Sequence, residues 1–447
     1  MKTISKRKNQ AILAAAGSLL SMSMGITDTY AADGLFKELD GTFDHYGVKV
    51  GAWANAGITY NGNEPDNNFN GPVTFGDRAS EFQLNQLNMY VQRAVAAEGS
   101  SWDFGGRVDI MFGTDSIFTQ AYGVPSFDVN TAQPLNRSTW DLDFLGSNSN
   151  RFYDFALPQA YLESYVPVGN GLNLKVGHFY TPIGYETVPA PDNFFYTHAY
   201  TMQYGEPFTH TGVMGNYTVD NNWAVMGGLI TGSATGGWDG GWDQQLGNWS
   251  GLAGVTWTSP DKGTSLNVAG TYGDSSETNS AKWALYSIVL KHNINEKTHL
   301  VLQHDHGFAD NTFDYATGTP NAIDAEWYGI NSHLIYDVSD TVVAGLRAEW
   351  FRDQNGLRVC SPGRIAAATD NQGVSYAAAG NFLSTCAPAT YYQITAGVTW
   401  KPKTWLSLRP NVRYDWVEDS NGYTPFTSGS KSSTDQVLFS TDMTVTF

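Results

Sequence analysis

Two sets of charged residues in this chain could do chemistry, and both suit sorting ions better than making bonds. Lys49, Arg107, Asp109, Arg347, Glu349, Arg409 and Arg413 sit in segments where apolar and polar residues alternate, always on the polar side. Asp115, Glu186, Asp192 and Glu206 sit in two long intervening stretches, 113–155 and 181–209. The second stretch has no Lys or Arg but is dense in aromatics and proline: Tyr185, Pro189, Pro191, Phe194, Phe195, Tyr196, Tyr200, Tyr204 and Phe208. A long segment so apolar is expected to pack against something. If it bends into a lumen, its carboxylates face the wall arginines, and opposed rings of charge then sort ions by sign. The 113–155 stretch, with Asp115, Asp128, Asp141 and Asp143, is the competing constriction. A plainer alternative has both stretches capping the outside, where they bind lipopolysaccharide or divalent cations. For the wall charges the plain alternative is bracing, with Arg107–Asp109 and Arg347–Glu349 paired at i and i+2 on one face.

Other motifs carry less. In His304-Asp305-His306 the two histidines share one strand face and the aspartate takes the other, so a third metal ligand is missing and no metal site is expected. The run Gly236–Asp243 lacks the Lys and the strand-to-helix setting of a phosphate loop. Its Trp238 and Trp242 suit an outer loop. No Ser-His-acid arrangement is legible from spacing, and no cofactor motif is present. Cys360 and Cys386 lie in one Gly/Ala/Ser-rich stretch and are expected to form a disulfide pinning a single loop.

The elements that must position these residues are strands. The closing stretch Gln436–Phe447 sends Val437, Phe439, Thr441, Met443 and Val445 one way, and Leu438, Ser440, Asp442 and Thr444 the other. Residues 405–416 send Leu406, Leu408, Val412, Tyr414 and Trp416 to one face and Arg409, Asn411, Arg413 and Asp415 to the opposite one. Such patterns predict about sixteen strands, at 47–60, 83–95, 103–112, 156–166, 171–180, 210–219, 222–231, 249–258, 264–273, 282–292, 298–307, 325–336, 341–351, 391–400, 405–416 and 436–447. Short turns such as Pro167–Asn170 and Asp220–Asn221 alternate with long loops such as Gly113–Phe155, Thr181–Thr209 and Arg352–Thr390. That rhythm belongs to an all-β, up-and-down antiparallel transmembrane barrel, with short periplasmic turns and long extracellular loops. Its outer face is apolar and its lumen is expected to be polar and wet. Two residues resist. Arg93 shares a face with Leu87, Met89 and Val91 and should reach the headgroups from a strand end, and Pro410 removes a ladder donor and implies a local bulge.

Composition points the same way. Charged residues are only 15%, aromatics 14%, and Gly 47 of 447, against about 25% charged and 7% Gly in ordinary globular chains. Residues 1–31, with Lys2, Lys6, Arg7 and Lys8 before an Ala/Leu/Met-rich core, read as a secretory signal peptide. Residues 32–46 form a short periplasmic segment and 47–447 the barrel. The formal net charge of −18 argues against a nucleic-acid partner.

Seven segments, in order, resemble the OmpL-like beta-barrel porins: Gly105–Asp115, Leu157–Glu163, Lys175–Glu186, Ala190–Tyr196, Glu206–Gly212, Glu326–Asn331 and Leu346–Asp353. The resemblance implies an outer-membrane, pore-forming barrel of a Gram-negative bacterium, and it brings no catalytic residues with it. The expectation is therefore a porin, not an enzyme, that passes small hydrophilic solutes and ions without cofactor. Its partners would be outer-membrane lipid and lipopolysaccharide, and it would be a homotrimer or a monomer. The competing classes are a barrel enzyme of lipase or protease type and a secreted β-rich sugar-binding protein. An energy-coupled transporter fits poorly, because no plug domain fits between residue 31 and the first strand.

Overall fold

Period-two alternation produces strands throughout: β1 (Val48–Asn61), β2 (Phe82–Arg93), β3 (Asp103–Gly113), β4 (Asp154–Ala156), β5 (Ala160–Val166), β6 (Leu172–Tyr180), β7 (Thr209–Thr218), β8 (Trp223–Thr231), β9 (Trp249–Thr258) and β10 (Thr264–Ser276). The series continues with β11 (Asn279–Asn295), β12 (Thr298–Asp314), β13 (Thr319–Ser339), β14 (Val342–Asp353), β15 (Ala389–Lys403), β16 (Leu406–Leu408), β17 (Asn411–Glu418), β18 (Phe426–Ser428), β19 (Lys431–Ser433) and β20 (Asp435–Thr446). The computed structural model describes residues 46–66, 68–96, 98–121, 153–231, 249–276, 279–314, 319–359, 387–418 and 422–447. Residues 1–45, with the expected signal peptide, and Asp128, Asp141, Asp143, Trp238, Trp242, Cys360 and Cys386 lie outside the described residues.

The strands form one closed antiparallel barrel. β4 and β5 both lie along β3 and fill one wall position, β16 and β17 together fill another beside β15, and β18–β19 is a separate hairpin. Sixteen wall strands remain. The last pairs with the first, from Trp53 opposite Thr446 to Asn61 opposite Leu438, so the sheet has no edge to expose to lipid. The expected boundaries hold within a few residues, except that β11, β12 and β13 run to 17, 17 and 21 residues. Parts of 274–281 and 308–324, expected as loops, continue as paired hairpin arms.

The two troublesome residues resolve differently. Arg93 is the last residue of β2, and its guanidinium reaches Asp103 at 2.8 Å. Pro410 makes no bulge. Leu408 and Asn411 keep one register against β20 (Met443 and Ser440) and against β15 (Trp400 and Gly397). The Pro410 carbonyl still accepts from Val398 N–H at 3.0 Å, so the ladder loses one donor and nothing shifts.

The outer face is apolar, with Leu87, Met89, Ile110, Leu229, Leu346, Phe439 and Met443 among its exposed residues. Aromatics mark both ends of this band: Trp102, Trp223, Trp400 and Trp405 on the short-turn side, Tyr60, Trp249 and Tyr272 on the other. The inner face departs from expectation. On β8, β9 and β11 it carries Met226, Ile230, Leu252, Leu285 and Val289, all buried. These apolar residues belong inside because something packs on them.

Candidate functional site

Ile183 of the loop between β6 and β7 packs with four of them, Met226, Ile230, Leu252 and Leu285. Between β6 and β7, residues 181–208 turn into the barrel, with the neck closed by Thr181 N–H donating to Phe208 O at 3.0 Å. A 3-10 turn at Ala190–Asp192 and one turn of π-helix at Thr201–Gly205 give the segment some regularity. Its aromatics seal it in place. Tyr200 and Tyr204 join Trp283, Trp327, Phe351, Tyr391 and Leu438 of the wall. Val188, Met202 and Phe208 meet Trp53 and Met111, and Ile183 meets Phe179, Met214, Met226, Ile230 and Leu252. Each such side chain stabilises the inward position by about 1.5–3 kcal/mol of burial. Glycines in the wall make room. A Cβ on Gly57 would sit 2.7 Å from the Tyr196 ring, and one on Gly345 would collide with Phe194.

A second inward segment, 62–81 between β1 and β2, lies against the first. Val73 and Phe75 are buried, Phe75 stacks on Phe118 at 4.0 Å, and Thr74 N–H donates to Gln203 Oε1 at 2.6 Å. Nothing in the alternation pattern singles this segment out, although Phe69, Pro72, Val73 and Phe75 form a small apolar group in an otherwise polar stretch.

Polar contacts then tie loop to wall. Arg347 on β14 donates to Glu186 Oε1 at 2.6 Å and to Thr197 O at 2.7 Å. Arg409 donates to Ala190 O and Asn193 O at 2.8 and 2.7 Å and also holds Asp442. Arg413 donates to His198 O and pairs with Asp415 at 2.7 Å. Arg358, just past β14, donates to Tyr204 O at 2.6 Å. Glu349 accepts from the N–H groups of Tyr200 and Thr201 at 2.7 and 2.6 Å, and Gln86 spans Val188 O and Ala190 N–H. A segment with little regular structure must place its backbone groups somewhere, and these side chains receive them.

The expected site residues therefore separate into groups. Arg347, Arg409, Arg413 and Glu349 are buried under the loop, with Arg347 and Arg413 at 0% exposure. Arg347 pairs with Glu186 and not with Glu349, which corrects the bracing pair expected between positions 347 and 349. Arg107 and Asp109 do pair, at 2.6 Å. Among the described residues, Glu206 meets no arginine. Gln303 donates to it, and it lies beside Asp305. Asp192 lies within electrostatic reach of Arg107 and Lys401. Asp115, at the start of the other long loop, is buried and accepts from Gln86 at 2.8 Å. Lys49 is exposed near the short-turn end. The middle of the lumen beside β14, β17 and β20 is consequently filled, not open water, which corrects the expectation of a wet interior there.

Sequence reasoning also missed inward-facing cations. Lys175 on β6 lies 4.2 Å from the Tyr161 ring centre, and Lys291 on β11 lies 5.0 Å from that of Tyr185. Lys401 on β15 follows Thr395 and Thr399 on the lumenal face. The same alternation that located the arginines would have placed all three. His304 and His306 stand on the outer face around Tyr286, and Asp305 faces the lumen.

The architecture is similar to that of solved outer-membrane proteins, a channel among them. OprB of Pseudomonas putida matches at 11% identity and TM-score 0.56, covering 93% of this chain and 97% of that one. The outer membrane channel DcaP of Acinetobacter baumannii matches at 13% identity and TM-score 0.51, covering 90% and 97%. The trimer form of OmpT from Vibrio cholerae matches at 9% identity and TM-score 0.50, covering 90% and 99%. Among proteins of curated function, none matches the sequence. The family model described as "Putative beta-barrel porin-2, OmpL-like" matches residues 47–447, and the chain, an outer-membrane β-barrel, belongs to that family.

Proposed function

We propose that this porin passes small hydrophilic solutes and ions by passive diffusion through lumen left beside the inward segment 181–208, which acts as its constriction. One observation carries the reading. The segment reaches from β6 to β14, β15 and β17 across the barrel, while the inward-facing Asn173, Lys175, Asn216, Asn267 and Lys291 keep part of their surface in solvent. A lumen built of sixteen strands is too wide for wall side chains to fill, so an inserted segment sets the aperture. In this reading Arg347, Glu349, Arg409 and Arg413 position the segment through its backbone and Glu186, and Lys49 and Arg107 face the path. Diffusion of this kind needs no cofactor and no energy source.

Deletion of Pro189–Tyr204 tests the role of the segment. Single-channel conductance in a planar bilayer should rise severalfold, because the released space fills with water. Unchanged conductance in a barrel that still assembles would remove the segment from the path.

A further inference from the structure

Where Arg347, Arg409 and Arg413 each touch a carboxylate, one pair of buried carboxyls touches only each other and amides. Glu206 belongs to the inward segment and Asp305 to β12, and they are 1% and 0% exposed. Gln303 donates to Glu206 and, at 3.0 Å, to each oxygen of Asp305, and the two carboxyls are within hydrogen-bond reach of one another. Among the described residues, neither forms an ion pair with Lys or Arg. Two ionised carboxylates cannot face one another in so dry a place, so one keeps its proton and donates it to the other. Burial, then the Asp305 charge, hold Glu206 well above the usual carboxylate range. The neighbouring elements offer that proton little competition. The segment itself adds the negative charge of Glu186. Ser287 of β11 and Gly329 of β13 lie opposite Asp305 in the ladder, and His304 of β12 takes the outer face. Arg358 donates to Tyr204 O, while Lys291 and His333 lie against the Tyr185 ring at 5.0 and 4.8 Å. The pair also sits at the neck of the segment. Gln303 accepts from Tyr185 N–H at 3.1 Å, so one side chain of β12 grips both arms, and a Cβ on Gly184 would collide with the Glu206 carboxyl.

We propose that Glu206 and Asp305 form a proton-held latch: one proton between them fastens the neck of the 181–208 segment to β12, and its loss to solvent frees the neck and widens the path. The inference rests on the diffusion-channel reading and adds a pH-operated gate to it. A carboxyl that binds its proton more tightly when fastened stabilises the fastened state below the ordinary glutamate range, and that gain disappears as pH rises. The direction is therefore closed in acid and open in alkali.

The test records single-channel conductance of the full chain in a planar bilayer from about pH 5 to about pH 10, beside Glu206→Gln and Asp305→Asn. Each substitution keeps a donor between the two side chains at every pH. Wild-type conductance should rise by roughly twofold toward the alkaline end, and the rise should shrink by at least about half in both variants. A heat-shifted band in electrophoresis shows that each barrel is closed. At about pH 9, backbone hydrogen exchange within residues 181–208 should be faster in the wild type than in Glu206→Gln. Conductance level across the range, a rise of the same size in both variants, or equal exchange would overturn the latch and leave the channel intact. Closed barrels that carry no current at any pH would overturn the diffusion reading, and the exchange difference alone would then uphold or overturn the latch.

Discussion

Arg347 is the residue on which most of the inward segment converges. Its guanidinium holds Glu186 and Thr197, and the same carboxylate receives Ala199 N–H at 2.7 Å, with His198 Nδ1 3.3 Å away. Removing one member of a buried pair leaves an uncompensated charge, which costs about 3–5 kcal/mol. Arg347→Ala should therefore lower the free energy of urea unfolding by an amount of that order. Arg347→Met combined with Glu186→Gln should recover much of the loss, since the orphaned charge goes too. A double variant as unstable as the single one would show that the guanidinium acts through packing against Phe195, 5.1 Å away, and not through charge. That Arg347 faces inward was legible from the alternation of Val342, Ala344, Leu346 and Ala348 around it. Its partner was legible only as one of the carboxylates of the 181–209 stretch, and which one was not. An i+2 neighbour, Glu349, was the nearest carboxylate in sequence, while the real one lies 161 positions away on a segment with no periodicity.

At the scale of elements, the two inward segments and the start of the 113–155 loop share a buried acidic spot. Asp77 follows Phe75 in the 62–81 segment, and Asp115 follows β3. Burial pushes both carboxyls up to about 7, against the pull of their amide donors Gln83 for Asp77 and Gln86 for Asp115. A carboxyl raised in the folded state binds its proton more tightly there than in the unfolded chain. The stability this gives is complete below the ordinary aspartate range and is lost as pH rises through about 7. The wild-type melting temperature should fall between pH 5 and pH 8, and Asp77→Asn/Asp115→Asn should flatten that fall, with little effect near pH 4. Equal slopes in the two proteins would mean that both carboxyls are charged throughout. Elements differ in how readily they are read. Wall strands follow from period two, because lipid on one side and lumen on the other enforce it residue by residue. The inward course of 181–208 follows from aromatics too numerous for a solvated loop. The 62–81 segment and the apolar inner faces of β8, β9 and β11 did not follow, because each makes sense only against the other chain segments that cover it.

For the whole molecule, closure is the condition on which everything inside depends. The lumen can hold a clamped segment only if the wall is continuous, and continuity rests on β20 lying between β1 and the β16–β17 strand. The final residues contribute directly: Phe447 N–H donates to Ala52 O at 2.8 Å, and Thr446 N–H donates to Trp405 O at 2.9 Å. Asp442, on the same strand, anchors Arg409, which in turn holds Ala190 and Asn193 of the inward segment. Taking away β20 would open two edges to hydrocarbon, where each unpaired backbone group costs several kcal/mol, and would strip Arg409 of its carboxylate. A chain ending at residue 434 should accordingly give no heat-shifted band and should be digested by protease under conditions that spare the full barrel. Asp442→Asn should be milder. The ladder survives, so the barrel closes, but Arg409 loses its charge partner and the segment loosens where it crosses β20. Noisier single-channel current with normal assembly is the result expected of that variant. Failure of Asp442→Asn to assemble would instead place Asp442 in closure itself, upstream of any role in holding the segment.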